Sequence, residues 1–122
     1  MVVIRREQFE AFGSVHRQRF ENWMARHIEQ CFPQTFATLG DAAVRNAIRL
    51  GVRKAESYGI TGQRDTCLFI DVMFAFGRDF DSDRGFPWAS ETLRSKAHPT
   101  DRIDRLHASS MEHAAEARGI AP

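Results

Sequence analysis

The segment from residue 63 to residue 77 constrains the fold most, because it is apolar on nearly every side of a helix. Its apolar residues do not alternate with polar ones, as they do in a half-buried strand, and no other segment offers a strand to pair with it. We therefore predict a buried central helix that ends at Gly77. Its apolar residues are Cys67, Leu68, Phe69, Ile70, Val72, Met73, Phe74 and Phe76.

The first predicted helix covers residues 5–30, where apolar residues recur at three- and four-residue steps. Gly13 weakens its middle and is a possible break, with Ser14 as the cap of a second helix. Pro33 ends the helix because proline disfavours a helical conformation in the residue before it. Residues 33–40 are then a connection. The residues of the stripe are Phe9, Phe12, His16, Phe20, Trp23, Met24, His27, Ile28 and Cys31.

A second amphipathic helix is predicted over residues 41–58, with Asp41 at its N-terminal end. Gly59 can adopt the left-handed conformation after the last turn, so that Ile60 folds back onto the helix. Thr61 is then the predicted N-cap of the central helix.

Two further helices follow the polar loop at residues 78–87. A short helix is predicted over residues 88–93, and the last helix starts at a cap provided by Thr100 or Asp101 and runs to about Ala117. The last helix carries Ile103, Leu106, Met111 and Ala114 on one side, and a frayed tail follows at residues 119–122. The prediction is an all-α single domain over residues 1–122, a bundle of four to five helices around the central one.

Composition excludes several classes of function. Seventeen basic residues oppose sixteen acidic ones, and the net charge of +1 predicts no attraction to nucleic acid. No apolar stretch approaches the roughly 18 residues of a membrane span, and the N-terminus lacks a signal-peptide core. We expect a cytoplasmic protein with no cofactor, no nucleic-acid partner and no membrane partner.

The acidic run at residues 79–83 is the first candidate site. Asp79, Asp81 and Asp83 alternate as at the start of an EF-hand calcium loop, but Arg84 and Ser90 stand where Gly and Glu are required. Hydrogen bonds in turns or ion pairs are therefore the favoured roles. A small metal-binding sensor or enzyme that uses these carboxylates is the weaker alternative.

Asp71 is a single charge inside the apolar segment. A buried carboxylate needs a partner, and Arg49 or Arg53 on the preceding helix would provide one. The alternative role is that of a catalytic acid or base. No second catalytic group lies near it in the sequence, so a structural ion pair is predicted.

Histidine and cysteine spacing predicts no metal site. His16 and His27 lie about 16 Å apart along a helix, so one ion cannot bind both. Cys31 and Cys67 lack the close spacing of metal or redox motifs and are predicted to be buried, inert thiols. No nucleophile motif is present either, so we predict no catalytic residues and a protein that is not an enzyme.

The aromatic content is high, with ten Phe and two Trp in 122 residues. Exposed aromatic side chains beside arginines make good interface anchors. The alternative is that they fix their loops to the core. The residues predicted to bind a partner are Arg78, Phe80, Arg84, Phe86 and Trp88.

Several motifs together carry a resemblance to a known group of proteins. They are Tyr58-Gly59-Ile60-Thr61, Asp65-Thr66-Cys67-Leu68-Phe69-Ile70-Asp71, Phe76-Gly77-Arg78-Asp79-Phe80-Asp81 and Pro87-Trp88-Ala89. With these motifs the chain resembles small all-helical bacterial accessory proteins encoded beside type VI secretion genes for PAAR-like spike-tip proteins and effectors. The resemblance implies a non-enzymatic adaptor or chaperone for an effector or spike-tip protein, or alternatively an immunity protein that neutralises a cognate toxin. It implies a protein partner and no cofactor, and it leaves a homodimer open.

Overall fold

The structure is a computed structural model that describes the backbone of residues 6–117 and the side chains of residues 16–115. These residues form six helices and no strand, which confirms the all-α class with more helices than the four to five predicted. The predicted frayed tail and the side chains of Phe9 and Phe12 lie outside this range. The helices are α1 (Arg6–Cys31), α2 (Pro33–Leu39), α3 (Asp41–Ser57), α4 (Gln63–Phe76), α5 (Pro87–Arg94) and α6 (Pro99–Ala117).

Backbone contacts divide the chain into two compact units, the first ending at Ile48 and the second beginning at Arg49. The boundary lies inside α3. The single domain over residues 1–122 stays a prediction. Between residues 6 and 117, no helix is both long enough and apolar enough to cross a membrane.

The first unit contains α1, α2 and the first part of α3. The possible break at Gly13 and Ser14 is wrong, since α1 continues through both residues; a single glycine costs only about 1 kcal/mol in a long helix. The predicted connection at residues 33–40 is wrong as well, because Pro33 begins α2. Proline suits the first position of a helix, where no N–H is needed for helical hydrogen bonds. Gly40, with φ +85°, ends α2 and donates its N–H to the carbonyl oxygen of Phe36 at 2.8 Å.

Arg45 connects the start of α3 to α1. Its Nε donates to Asp41 Oδ2 at 2.8 Å, and its Nη1 donates to Asn22 Oδ1 at 2.8 Å and to Glu21 Oε1 at 3.3 Å. Arg26 reaches the same carboxylate from α1, with 2.7 Å between Nη2 and Asp41 Oδ1. Each ion pair contributes at most about 1 kcal/mol at an exposed position, so the buried apolar residues provide most of the stability. Those residues are Met24, Ala25, Ile28, Val44 and Ile48.

The end of α3, in the second unit, agrees with its prediction. Gly59 has φ +77° and donates its N–H to the carbonyl oxygen of Glu56 at 2.9 Å. Ile60 donates to the carbonyl oxygen of Ala55 at 2.9 Å and is fully buried. These are the two hydrogen bonds of a Schellman motif. Thr61 as N-cap of the next helix is wrong: the cap is Gly62, whose extended backbone immediately precedes α4 and whose carbonyl oxygen accepts the N–H of Thr66.

Helix α4 carries the apolar segment from which the fold was predicted, and it is a helix rather than a strand. Its buried side chains include Phe69, Ile70, Val72 and Met73, and it packs against α6. Gly51 of α3 approaches α4 so closely that an added Cβ would lie 2.7 Å from Ile70 Cγ1.

Helices α5 and α6 both begin at a proline, and the predicted caps of α6 are wrong. Because α6 starts at Pro99, the N-cap position falls on His98, whose Nδ1 accepts the N–H of Thr100 at 3.2 Å. The Thr100 hydroxyl instead donates to Asp65 Oδ2 at 2.9 Å. Met111 was predicted on the apolar side of α6 but is 60% exposed. Ser110 takes the buried position that follows Ile103 and Leu106 at helical spacing.

Candidate functional site

The acidic run after α4 surrounds a lysine side chain. Lys54 Nζ donates to Asp79 Oδ1 at 3.1 Å, to Asp81 Oδ1 at 3.0 Å and to the carbonyl oxygen of Arg78 at 2.6 Å. Asp83 accepts the N–H of Gly85 at 2.7 Å instead. An ammonium group therefore occupies the position between two carboxylates at which a calcium ion would have to bind. This geometry favours structural roles for Asp79, Asp81 and Asp83 over the metal alternative.

Asp81 also fixes the only tyrosine of the sequence. Its carboxylate is buried, and Oδ2 accepts the Tyr58 hydroxyl at 2.8 Å. Burial and this hydrogen bond raise the pKa of Tyr58 to about 12. Burial disfavours the charged form of Lys54, but its hydrogen bonds to Asp81 and Asp79 outweigh that effect and raise its pKa. At neutral pH the network thus holds a neutral phenol and a charged ammonium, a structural link rather than an acid–base pair.

The predicted partner-binding residues divide into buried and exposed ones. Phe80 as a surface residue is wrong: it is 1% exposed, and its ring centroid lies 5.1 Å from that of Phe69. The hydrogen bonds of neighbouring Asp81 to Lys54 and Tyr58 hold this loop against the core. Arg78 and Arg84 are exposed, whereas Phe86 and Trp88 are half-buried.

Phe86 and Trp88 belong to what we call the Trp88 cluster, formed by Phe76, Phe86, Trp88 and His113. The Phe76 ring contacts Phe86 and Trp88 edge-on, with centroids 5.3 and 5.2 Å apart, and Trp88 stacks on His113 at 4.7 Å. His113 Nδ1 donates to the carbonyl oxygen of Ser109 at 2.8 Å, which fixes the orientation of its ring. The cluster fixes the loop and α5 to α6, which is the role given above as the alternative to partner binding, and it leaves both rings half-buried.

Large exposed apolar side chains are found on the first unit. Trp23, predicted within the apolar stripe of α1, is 55% exposed, because the buried face of α1 is centred on Met24, Ala25 and Ile28. Its ring stacks on His27 with centroids 5.1 Å apart. Leu39, at the end of α2, is 48% exposed. It borders an open depression of about 280 Å³ that is lined by Gln34, Thr35, Thr38 and Leu39.

The two free thiols differ from their prediction. Cys31 is exposed, so its assignment as a buried thiol is wrong, and Cys67 is half-buried. Cys31 Sγ lies 3.7 Å from His27 Nδ1 and 3.8 Å from Nε2, within α1. Cys67 donates to Asp71 Oδ2 at 3.9 Å, within α4. Each thiol thus contacts a polar side chain four residues away on its own helix, a pairing that the spacing within one residue type does not reveal.

Asp71 is half-buried in α4. Its ion pair with Arg49 or Arg53 stays a prediction.

No protein-family model, curated protein or solved structure matches this chain. The resemblance to proteins encoded beside type VI secretion genes therefore stays a prediction that rests on the sequence motifs.

Proposed function

We propose that this protein is a non-enzymatic adaptor or chaperone that binds an effector or spike-tip protein of a type VI secretion system. The sequence resemblance supplies the class of partner. The observation that supports protein binding is the exposure of Trp23 on a helix of the first unit.

Trp23 offers a partner a useful amount of binding energy. A tryptophan side chain buries about 150–250 Å² when covered, so roughly 100 Å² of Trp23 stands in water at 55% exposure. Covering that area is worth about 2–3 kcal/mol. Because the ring already stacks on His27, it would lose little conformational freedom on binding. These are the properties of an interface anchor, and tryptophan is among the residues most enriched at such positions.

Arg78 and Arg84 provide a second, charged contact surface on the loop after α4. Both are exposed, and arginine binds carboxylates with two parallel hydrogen bonds. We include Phe86 in this surface, because its ring is half-buried and it lies at the end of the same loop. Trp88 contacts the other three rings of the Trp88 cluster, so truncating it would disturb the fold as well as any contact with a partner.

Affinity capture of the tagged full-length protein from its native host, followed by mass spectrometry, tests the proposal. The expected result is one stoichiometric effector or spike-tip protein, whose capture falls at least tenfold with Trp23→Ala. Met111→Ala is the matched control, since it truncates another exposed apolar side chain on a helix. Arg84→Glu tests the loop surface without disturbing the Trp88 cluster.

Deletion of the gene separates the adaptor from an immunity protein. An adaptor predicts that the cell fails to deliver the effector to its neighbours. Self-intoxication that is cured by deleting the toxin would support the immunity alternative and overturn the adaptor. Equal capture of the partner by the Trp23→Ala variant and the natural protein would contradict the proposed role of Trp23 as an interface anchor.

A further inference from the structure

We propose that the face of α1 centred on Trp23 binds an acidic segment of a protein partner, in which a carboxylate pairs with Arg19 beside an apolar side chain that packs on the indole ring. The inference rests on the proposed function, since it gives the chemistry of the segment that Trp23 would anchor. It follows from the exposure, the charge and the pairing of the residues on this face.

Trp23 is surrounded on the helix surface by cationic, aromatic and neutral side chains. At about 100° per residue, six of the residues between positions 16 and 31 lie within about 60° of Trp23 around the helix axis. None of the six is acidic, and four of them are exposed. The two glutamates in this stretch, Glu21 and Glu29, lie on other sides of the helix. The six residues are His16, Arg19, Phe20, Arg26, His27 and Gln30.

The two arginines of this face differ in their pairing. Arg26 donates to Asp41 Oδ1 at 2.7 Å and to Glu29 Oε1 at 2.8 Å, so its charge is already compensated. Arg19 is exposed and makes no hydrogen bond or ion pair within the described part of the chain. A guanidinium group without a partner offers a carboxylate two parallel hydrogen bonds. Arg19 is therefore the cation of this face that a partner's carboxylate can pair with.

The closeness of Arg19 and Trp23 gives the chemistry of the occupant. Residues four apart in a helix are neighbours on its surface, so one short segment can contact both side chains. The indole ring is 55% exposed, and the half-buried ring of Phe20 extends its apolar area, with centroids 6.4 Å apart. Tryptophan and arginine are also the residues most enriched among those that contribute strongly to binding. A segment with Asp or Glu next to a large apolar residue complements both groups.

Two other occupants fit this face less well. A second copy of the chain, related by a two-fold axis, would bring two cationic faces together without a carboxylate between them. A nucleic acid is held by several phosphate contacts, whereas this face has one unpaired arginine and the whole sequence has a net charge of +1. The observations therefore favour an acidic protein segment.

Selection from a random peptide library displayed on phage, with the tagged full-length protein as bait, tests this chemistry without the natural partner. We expect the enriched peptides to carry Asp or Glu beside a large apolar residue. A synthetic peptide of the enriched sequence should bind at least tenfold more weakly to both Trp23→Ala and Arg19→Glu, and its affinity should fall as the salt concentration rises. Arg17→Glu is the matched control, because it makes the same change of charge on the opposite side of α1 from Arg19. Circular dichroism checks that each variant is folded.

Several results would overturn the proposal. They are enrichment of peptides without acidic residues, and equal affinity of the peptide for Arg19→Glu and the natural protein. A dimer in light scattering that Trp23→Ala dissociates would assign this face to a second copy instead, and binding of single-stranded DNA that is lost in Arg19→Glu would assign it to nucleic acid.

The peptide selection and the capture from the host fail separately. Selection of acidic peptides without capture of a secretion protein would support this binding face and contradict the proposed function. Capture of an effector or spike-tip protein without selection of acidic peptides would overturn this inference and leave the proposed function in place.

Discussion

The guanidinium group of Arg102 donates a hydrogen bond from Nη2 to the carbonyl oxygen of Tyr58, 2.7 Å away and 44 positions earlier in the chain. Its Nη1 donates to the carbonyl oxygen of Leu93 at 2.6 Å, and its Nε to that of Ala97 at 3.1 Å. The carbonyl groups of Tyr58 and Leu93 lie at the C-terminal ends of α3 and α5, where helical partners are missing and a cation is favoured. One buried side chain of α6 thus satisfies three backbone groups of the second unit.

Replacing Arg102 should therefore destabilise the protein strongly. Arg102→Met keeps the apolar stem but leaves three carbonyl oxygens without their donor, and we expect a loss of about 2–4 kcal/mol in the free energy of unfolding. Arg102→Lys should recover only part of the lost stability, because one ammonium group cannot reach all three carbonyl oxygens. Urea denaturation measures both variants. Arg105→Met is the control, since Arg105 is exposed on the same helix, and it should stay within about 0.5 kcal/mol of the natural protein. Equal stabilities of the Arg102→Met and Arg105→Met variants would contradict the role of Arg102.

Gly51→Ala should also destabilise the protein, although alanine is the better helix former. Helix propensity favours alanine by about 1 kcal/mol. The added Cβ, however, would lie 2.7 Å from Ile70 Cγ1 and 3.2 Å from Met73 Cε, so α3 and α4 must separate or repack. Overpacking of this kind costs about 1–3 kcal/mol, and we expect a net loss in urea denaturation.

Gly62→Ala provides the comparison for Gly51. An added Cβ meets no atom within 4 Å there, and the backbone conformation of Gly62 is open to any residue. As an N-cap, alanine is poorer than glycine, so a loss of only a few tenths of a kcal/mol to about 1 kcal/mol is expected. A Gly51→Ala variant that is more stable than the natural protein would contradict the prediction, because α3 and α4 would then accommodate the added Cβ without loss of packing energy.

Tyr58 should ionise at unusually high pH. Its pKa is raised to about 12 by burial and by the hydrogen bond to Asp81. As Tyr58 is the only tyrosine, the absorbance of tyrosinate reports its titration directly. We expect the midpoint near pH 12 in the folded protein and near the ordinary value of about 10 in urea.

The raised pKa of Tyr58 also makes the stability of the protein depend on pH. Between about pH 10 and pH 12 the folded state holds a proton that the unfolded state has lost, so the free energy of unfolding falls as the pH rises. The raised pKa of Lys54 acts in the same direction. Tyr58→Phe should remove the contribution of the tyrosine, so that the free energy of unfolding falls less steeply between about pH 10 and pH 12. A midpoint near pH 10 in the folded natural protein would show that Asp81 does not hold the phenol.

Local sequence predicted the helices well, because the interactions that form and end them are local. The turn at Gly59 and Ile60 closes through hydrogen bonds to residues no more than five positions earlier. The end of α4 at Gly77 is equally local, with φ +117° and an N–H that donates to the carbonyl oxygen of Met73. The caps were less predictable, since a shift of one residue moved the N-cap of α4 from Thr61 to Gly62.

Burial of the aromatic side chains was not predictable in the same way. Phe80 lies in a polar loop and is buried, whereas Trp23 lies in an apolar stripe and is exposed. Hydrophobicity gives the preference of a side chain for the core, but the available space depends on residues far away in sequence. Phe80 is enclosed because Lys54, 27 positions before Asp81, draws the adjacent loop inward.

The sequence by itself determined that this chain is helical, where five of its helices lie and how α3 and α4 end, because side-chain period, glycine conformation and proline geometry act over a few residues. Only the tertiary structure decided that Lys54 and Tyr58 share Asp81, that Arg102 binds three distant carbonyl groups, and that Trp23 rather than Phe80 faces solvent. Each of these outcomes joins or separates residues that lie tens of positions apart. No local pattern encodes such a pairing, since it arises only when the helices pack.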